Sequence, residues 1–353
     1  MSTDGTRRRL PRRIAFVVVV FTLLLCLSEM LLRWLAPIHL AGIQSAYVYD
    51  GELGLRLKDN LRATHLTDHL QEIWSNREGT ANFQDSFEAY ETRIFAIGDS
   101  YTQGTGLPPD ASYPFQLDLR LNIGADGVYH PKYGVVNLGL AAYGPEQSLI
   151  ALRRYSDRLG APGVCLYLGA ENDFSDDTLF RGGYRHEHIV SGSPRWGVMT
   201  RPLLWASELQ LVMRSKLAVS RWRRRDLSSS AALGVESPTK GSAASEPSVA
   251  ELTWPVIEKI VNVCREQGAV TVLGWSYGGS PSYGWLRARA ATEGVGFADW
   301  WPSVESVQRS EGDIPLGNPH SGGHLRTWVN RLIADSFARE IERAESAEAK
   351  VAG

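Results

Sequence analysis

The first sustained pattern along the chain is an apolar run. From Ile14 to Leu27 only Thr22 interrupts it, and it resumes after Ser28 and Glu29 through Met30, Leu31 and Leu32. A helix needs about 20 such residues to cross the hydrocarbon core of a bilayer, so the run predicts a membrane-spanning segment over 14–33. Arg7, Arg8, Arg9, Arg12 and Arg13 precede it and Arg33 alone directly follows. That asymmetry predicts a cytoplasmic N-terminus over 1–13 and an extracytoplasmic or periplasmic body, the topology of a single-pass inner-membrane protein. Glu29 stands close enough to the far end to reach the interface. No small-x-small cleavage pattern directly follows, and the residues after Cys26 fit a lipoprotein site poorly, so a retained anchor is expected rather than a cleaved signal.

Residues 34–90 mix polar and apolar positions without a sustained period, and read as an irregular wrapping segment with a turn at Asp50-Gly51-Glu52-Leu53-Gly54. From Thr92 the pattern becomes regular. Arg93–Ile97, Gly134–Leu138, Val164–Leu168, Val270–Gly274 and Gly294–Ala298 are short runs rich in apolar and β-branched residues, which predict buried strands. Helical spacings fall between them at roughly 112–122, 145–158 and 250–267, with a last one at about 325–346. This alternation predicts a three-layer α/β/α sandwich over 91–346 with a mainly parallel central sheet, and a short tail at 347–353.

The alternation breaks between about 178 and 250. Ala206–Arg225 has helical composition and ends in Arg221-Trp222-Arg223-Arg224-Arg225, which reads as a solvated helix end or as a contact for anionic headgroups or an acidic polymer. A stretch at about 226–249 rich in Ser, Ala, Gly and Pro predicts a disordered insertion. Lys plus Arg total 37 against 39 Asp plus Glu, so the charge gives no global reason to expect nucleic acid as a partner. Cys165 and Cys264 fall in a strand and a helix pattern and read as two buried free thiols.

Candidate chemistry lies where strands end. In a parallel sheet, residues following the carboxyl ends of strands converge although distant in sequence. Gly98-Asp99-Ser100, Ala142, Asn172-Asp173 and His324 occupy such places or the start of the terminal helix. Acyl transfer needs a hydroxyl nucleophile, a base and preorganised oxyanion donors. Ser100 is the candidate nucleophile and His324 the candidate base. The backbone N–H groups of Ser100 and of the 142–144 turn, with the Asn172 amide, are the candidate oxyanion donors. Ser100 or Asp99 as a helix cap, and Asn172 with Asp173 as turn residues, are the plainer readings.

Three blocks in this order resemble the SGNH, or GDSL-type, hydrolase superfamily, especially its membrane-anchored bacterial members. Gly98-Asp99-Ser100 resembles the nucleophile block, Val136 to Gly144 the block that supplies a glycine N–H, and Asn172-Asp173 the Asn block. The resemblance spans about 92–178 and 252–346. It implies a flavodoxin-like sheet and a serine esterase or acyl (acetyl) transferase that needs no cofactor or metal. The implied substrate is an O-acylated cell-envelope or secreted polysaccharide, with a lipid ester as the alternative. Ala142 stands where the family usually has its oxyanion glycine, with Gly144 as the other donor. Ala170 replaces a glycine, and Glu171 adds a carboxylate near the hole. The histidine block offers both His320 and His324, and His324 fits the following helix better. Ser321 stands where an orienting acid is customary, which leaves a backbone carbonyl or Asp313 for that role.

Two rival readings carry different chemistry. His186 with His188, and His320 with His324, have spacings that can share a metal ion. A catalytically degenerate, anchored glycan-binding protein would use Trp275, Trp300 and Trp301 as stacking platforms.

Overall fold

The computed structural model describes residues 9–36, 40–41, 46–66, 70–182, 209–229, 247–318 and 323–352. Helix α1 (Arg9–Leu35) contains the apolar run. Its Arg13–Leu35 portion, with a mean hydropathy of 2.6 over its most apolar 18 residues, is long and apolar enough to cross a membrane.

The segment read as irregular contains short sheets. Strands β1 (Leu40–Ala41), β4 (Arg62–Leu66) and β5 (Leu70–Trp74) form one, and β2 (Tyr47–Asp50) pairs antiparallel with β3 (Gly54–Leu57). Their pattern escaped the sequence reading because each strand is too short to establish a period. The β2–β3 turn is the expected one: Asp50 Oδ1 accepts the N–H groups of Glu52 and Leu53, both at 3.0 Å. Arg154 grips the same carboxylate at 2.7 and 2.9 Å, which ties the hairpin to the main body.

Five parallel strands form the central sheet: β6 (Thr92–Gly98), β7 (Tyr133–Asn137), β8 (Val164–Gly169), β9 (Val270–Trp275) and β10 (Gly296–Phe297), in the spatial order β10-β9-β8-β6-β7. The interior strands β6, β8 and β9 are buried along almost their whole length, as expected when helices cover both faces. β10 is shorter than its pattern because Gly294, at φ 69°, is the left-handed cap of the helix before it.

The helices are α2 (Ser100–Gln103), α3 (Tyr113–Asn122), α4 (Pro145–Leu159), α5 (Asp173–Arg181), α6 (Gln210–Ser229), α7 (Val249–Glu266), α8 (Pro281–Glu293), α9 (Trp301–Glu311) and α10 (Thr327–Ala352). α3 packs with α10, while α4 packs with α7. α7 shows why this works: Trp254, Ile257, Val261 and Cys264 recur at helical spacing and are all buried. Helix α5 fills the place where only a turn was read, α6 carries the helix expected at 206–225 on to Ser229, and α10 continues through most of the expected tail. Most of the expected disordered insertion, 230–246, lies outside the described residues. Cys165 and Cys264 are buried and free.

The strand order reverses between β6 and β8. From β6 the chain goes to β7 on one side, then crosses back to β8 on the other. The crevice above their carboxyl ends is the switch point where ligands bind in open α/β sheets.

Candidate active site

Ser100 lies just past the end of β6 and Asn172 in the turn after β8, so the switch point brings together the strands that carry them. The turn into Ser100 depends on Gly98. Its φ is +150°, and a Cβ there would lie 2.4 Å from Thr102 Oγ1 and 2.7 Å from the Leu168 carbonyl. Asp99 then caps α2, its Oδ1 accepting the Tyr101 N–H at 2.9 Å, and Gly104 closes that helix at φ 84°. Capping is therefore the work of Asp99. The hydroxyl of Ser100 is left for other contacts.

Ser100 Oγ lies 2.8 Å from His324 Nε2. His324 arrives just before α10, where Leu325 bridges to Gly317 and Asn318 N–H donates to the His324 carbonyl at 2.7 Å. The Tyr101 ring packs against the imidazole, with centroids 5.1 Å apart. Tyr101 Oη in turn donates to Tyr277 Oη at 2.8 Å. Burial pushes the Tyr101 phenol far upward, so it stays neutral. Tyr277 was not legible as part of the site, because it arrives only when β9 lies beside β8, and Tyr101, next to Ser100 in sequence, meets the imidazole only when the chain returns before α10.

The 139–144 turn sorts the donor candidates. Leu140 N–H donates to the Gly98 carbonyl, Ala141 N–H to Gln103 Oε1, Tyr143 N–H to the Leu140 carbonyl and Gly144 N–H to Gln147 Oε1. Gly144 N–H is thus engaged at the N-cap of α4, so as a donor candidate it stands behind Ala142. Among the described residues the Ala142 N–H has no acceptor, and the same holds for the Ser100 N–H. Ala142 has φ 67°, left-handed backbone that normally favours glycine. It adopts there the conformation that the glycine of the resembling block would supply freely.

Asn172 is half-buried, and its amide is already engaged. Nδ2 donates to Asp176 Oδ2 at 2.6 Å and to Asp99 Oδ2 at 3.3 Å. Asp99 Oδ2 is also 3.4 Å from Ser100 Oγ. Burial holds the Asp99 carboxyl well above its usual range, and the neighbouring Asp176 charge adds to this. Asp173 buttresses the turn from below, accepting from Tyr167 Oη at 2.5 Å and from the Ala170 N–H at 3.1 Å. Burial raises its carboxyl too.

The remaining expectations fall differently. Asp313 is exposed, whereas the orienting role would need it against the His324 ring. It sits on the loop after α9, where nothing draws it inward. His320, Ser321, His186 and His188 lie outside the described residues. Among the described residues no group of three or more His, Cys, Asp or Glu could hold a metal ion. Both oxygens of Glu171 are taken, by Trp275 Nε1 at 2.9 Å and Ser282 Oγ at 3.0 Å. Trp275 and Trp300 are fully buried, with Trp300 Nε1 donating to the Trp275 carbonyl at 2.9 Å. They are core residues and not platforms for a sugar ring. Trp301 is half-buried against Gly278 and Gly279.

Solved structures of G-D-S-L proteins match this chain. One is a putative lipolytic protein of that family from Desulfitobacterium hafniense DCB-2, at 14% identity and a TM-score of 0.38, covering 70% of this chain and 98% of its own. TesA matches at 13% and 0.39, covering 71% and 98%. The acetyl xylan esterase AlAXEase matches at 11% and 0.34, covering 69% and 97%. No family model and no curated protein matches the sequence.

Proposed function

We propose that the protein is a membrane-anchored serine esterase or acyl transferase of the SGNH type, with Ser100 as nucleophile and His324 as base. The observation that carries this reading is the 2.8 Å approach of His324 Nε2 to Ser100 Oγ across the switch point of the sheet. Serine is a weak nucleophile until a base at hydrogen-bond distance takes its proton.

In the proposed reaction Ser100 Oγ attacks the ester carbonyl carbon while its proton passes to His324 Nε2. The carbonyl oxygen becomes an oxyanion, received by the N–H groups of Ser100 and Ala142. Asn172 adds the third donor. Its short bond to Asp176 fixes the amide, and the longer bond to Asp99 is the one exchanged for the oxyanion. Collapse breaks the ester C–O bond, and the alcohol leaves with the proton from His324. An incoming water or sugar hydroxyl then gives its proton to His324 and attacks the acyl-serine, and collapse breaks the acyl–Oγ bond as His324 returns the proton to Ser100. Hydrolase and transferase share every step but the identity of this last acceptor.

O-acylated cell-envelope or secreted polysaccharide is the substrate class we infer, from the family resemblance and the anchor. The arginines before the apolar run support a body outside the cytoplasm. Fluorophosphonate labelling of the detergent-solubilised full chain tests the site. Ser100→Ala is expected to abolish labelling, and His324→Ala to slow it by roughly a thousandfold or more. Equal labelling of Ser100→Ala and the parent would overturn the nucleophile assignment.

A further inference from the structure

Glu29 is a carboxylate inside the apolar run of α1, and the reaction does not use it. Its side chain is only 13% exposed, although Leu27, Met30 and Leu31 around it are open. The cover is α6. Glu29 Oε1 accepts the backbone N–H of Gln210 at 2.9 Å and Oε2 that of Leu211 at 3.1 Å, the first two residues of that helix. Arg33 Nε donates to Glu29 Oε1 at 2.7 Å. The Arg214 guanidinium bonds the Ala36 carbonyl, and Met213 is buried. Contacts therefore climb α1 from Glu29 to Ala36 as they climb α6 from Gln210 to Arg214, and the two helices leave the membrane in the same direction.

Depth follows from helix rise. With Arg13 at one interface, Glu29 lies about 24 Å along α1 and Arg33 about 30 Å, so Arg33 meets the far interface of a core about 30 Å thick. Glu29 is then still about 6 Å inside it. A carboxylate there is costly without partners, and the first amides of a helix, orphaned by geometry, are equally costly in hydrocarbon. Each satisfies the other. We propose that the first turn of α6 is seated in the edge of the bilayer nearer the folded domain, docked on the anchor through Glu29. The lipid boundary is then a binding partner of α6 and not of the anchor alone. This rests on α1 spanning the membrane and is independent of the Ser100 chemistry.

The test uses the full chain in lipid nanodiscs, in a Cys26→Ser background, with single spin-labelled cysteines at Val20, Leu211, Val212 and Lys216. Collisions with oxygen over those with a water-soluble nickel chelate are expected to be highest at Val20, intermediate at Leu211 and Val212 and low at Lys216. Glu29→Ala should drop Leu211 and Val212 to the Lys216 value while Val20 is unchanged, and Glu29→Gln, which keeps an acceptor oxygen, should fall between. In unlabelled chain, Glu29→Ala should speed amide exchange at Leu211 by about tenfold or more, the worth of a hydrogen bond to a charged group. Leu211 and Val212 as water-accessible as Lys216 in the parent, with Val20 in lipid, would overturn the docking. Water access at Val20 as well would sink the spanning reading and the docking with it.

Discussion

Gly98 and Ala142 put opposite demands on backbone and side chain around the same serine. Gly98→Ala would push a methyl group into the Leu168 carbonyl, which has no rotamer to yield. A loss of about 2–3 kcal/mol in urea unfolding is expected, with β6 and β8 forced apart. Ala142 already carries a methyl group at φ 67°. Ala142→Gly removes about 1 kcal/mol of left-handed strain and gives much of it back as unfolded-state entropy. Its melting temperature should barely move and esterase turnover should persist. Asn172→Ala should instead lower turnover by roughly a hundredfold to a thousandfold, the usual loss for one oxyanion donor. An unchanged rate would assign Asn172 only to the hydrogen bonds it makes with Asp99 and Asp176. The Gly-Asp-Ser run was legible in the sequence because its chemistry is local: one strand end, one glycine, one cap. The Tyr101 ring against His324 was not, since 224 positions separate the Ser100 and His324 side chains that define that corner.

Among the elements, the start of α4 and the body of α5 are locked through Asp177. Asp177 Oδ1 accepts the Glu146 N–H at 3.0 Å, and a Cβ on Gly144 would come within 2.2 Å of the same oxygen. Burial raises the Asp177 carboxyl to about 7, and the Glu146 carboxylate adds to the rise that its own N–H opposes. The folded state therefore holds a proton that the unfolded chain, with an ordinary carboxyl, has lost. Its contribution to stability falls as pH rises from about 4 to about 7. Asp177→Asn keeps the acceptor oxygen and removes the titration, so the fall in melting temperature across that window should flatten. Asp50 works in the other direction. Burial pulls its carboxyl upward, but Arg154 and the Leu53 and Glu52 N–H groups outweigh burial and hold it at about 2. Its contribution is present above about 4 and is lost as pH falls toward 2. Helix α5 itself was missed because Asp173, Asp176 and Asp177 are buried on a segment whose polarity reads as a turn. Tyr167 on β8, the turn after it and the start of α4 together supply the donors that let those carboxylates go inside.

For the whole molecule, the chain's own pattern determined the classes of its parts. An apolar run of membrane length, strands without alternation and helices with a 3.6-residue stripe are one-dimensional signals, because each reports how many faces of an element are covered. They were enough for a helix that can cross a membrane, a parallel sheet between helices, and the strand ends where chemistry collects. Tertiary structure decided which of those ends meet. The β6–β8 reversal put Ser100 beside Asn172, the return of the chain before α10 delivered His324, and the exposed loop after α9 left Asp313 outside. It also sorted the tryptophans. Trp275 and Trp300 carry the same apolar surface whether they line a cleft or fill a core, and only the layers packed around them made them core. Periodicity records how deeply a residue is buried and not against what, so partners between distant segments are fixed only when the chain closes on itself.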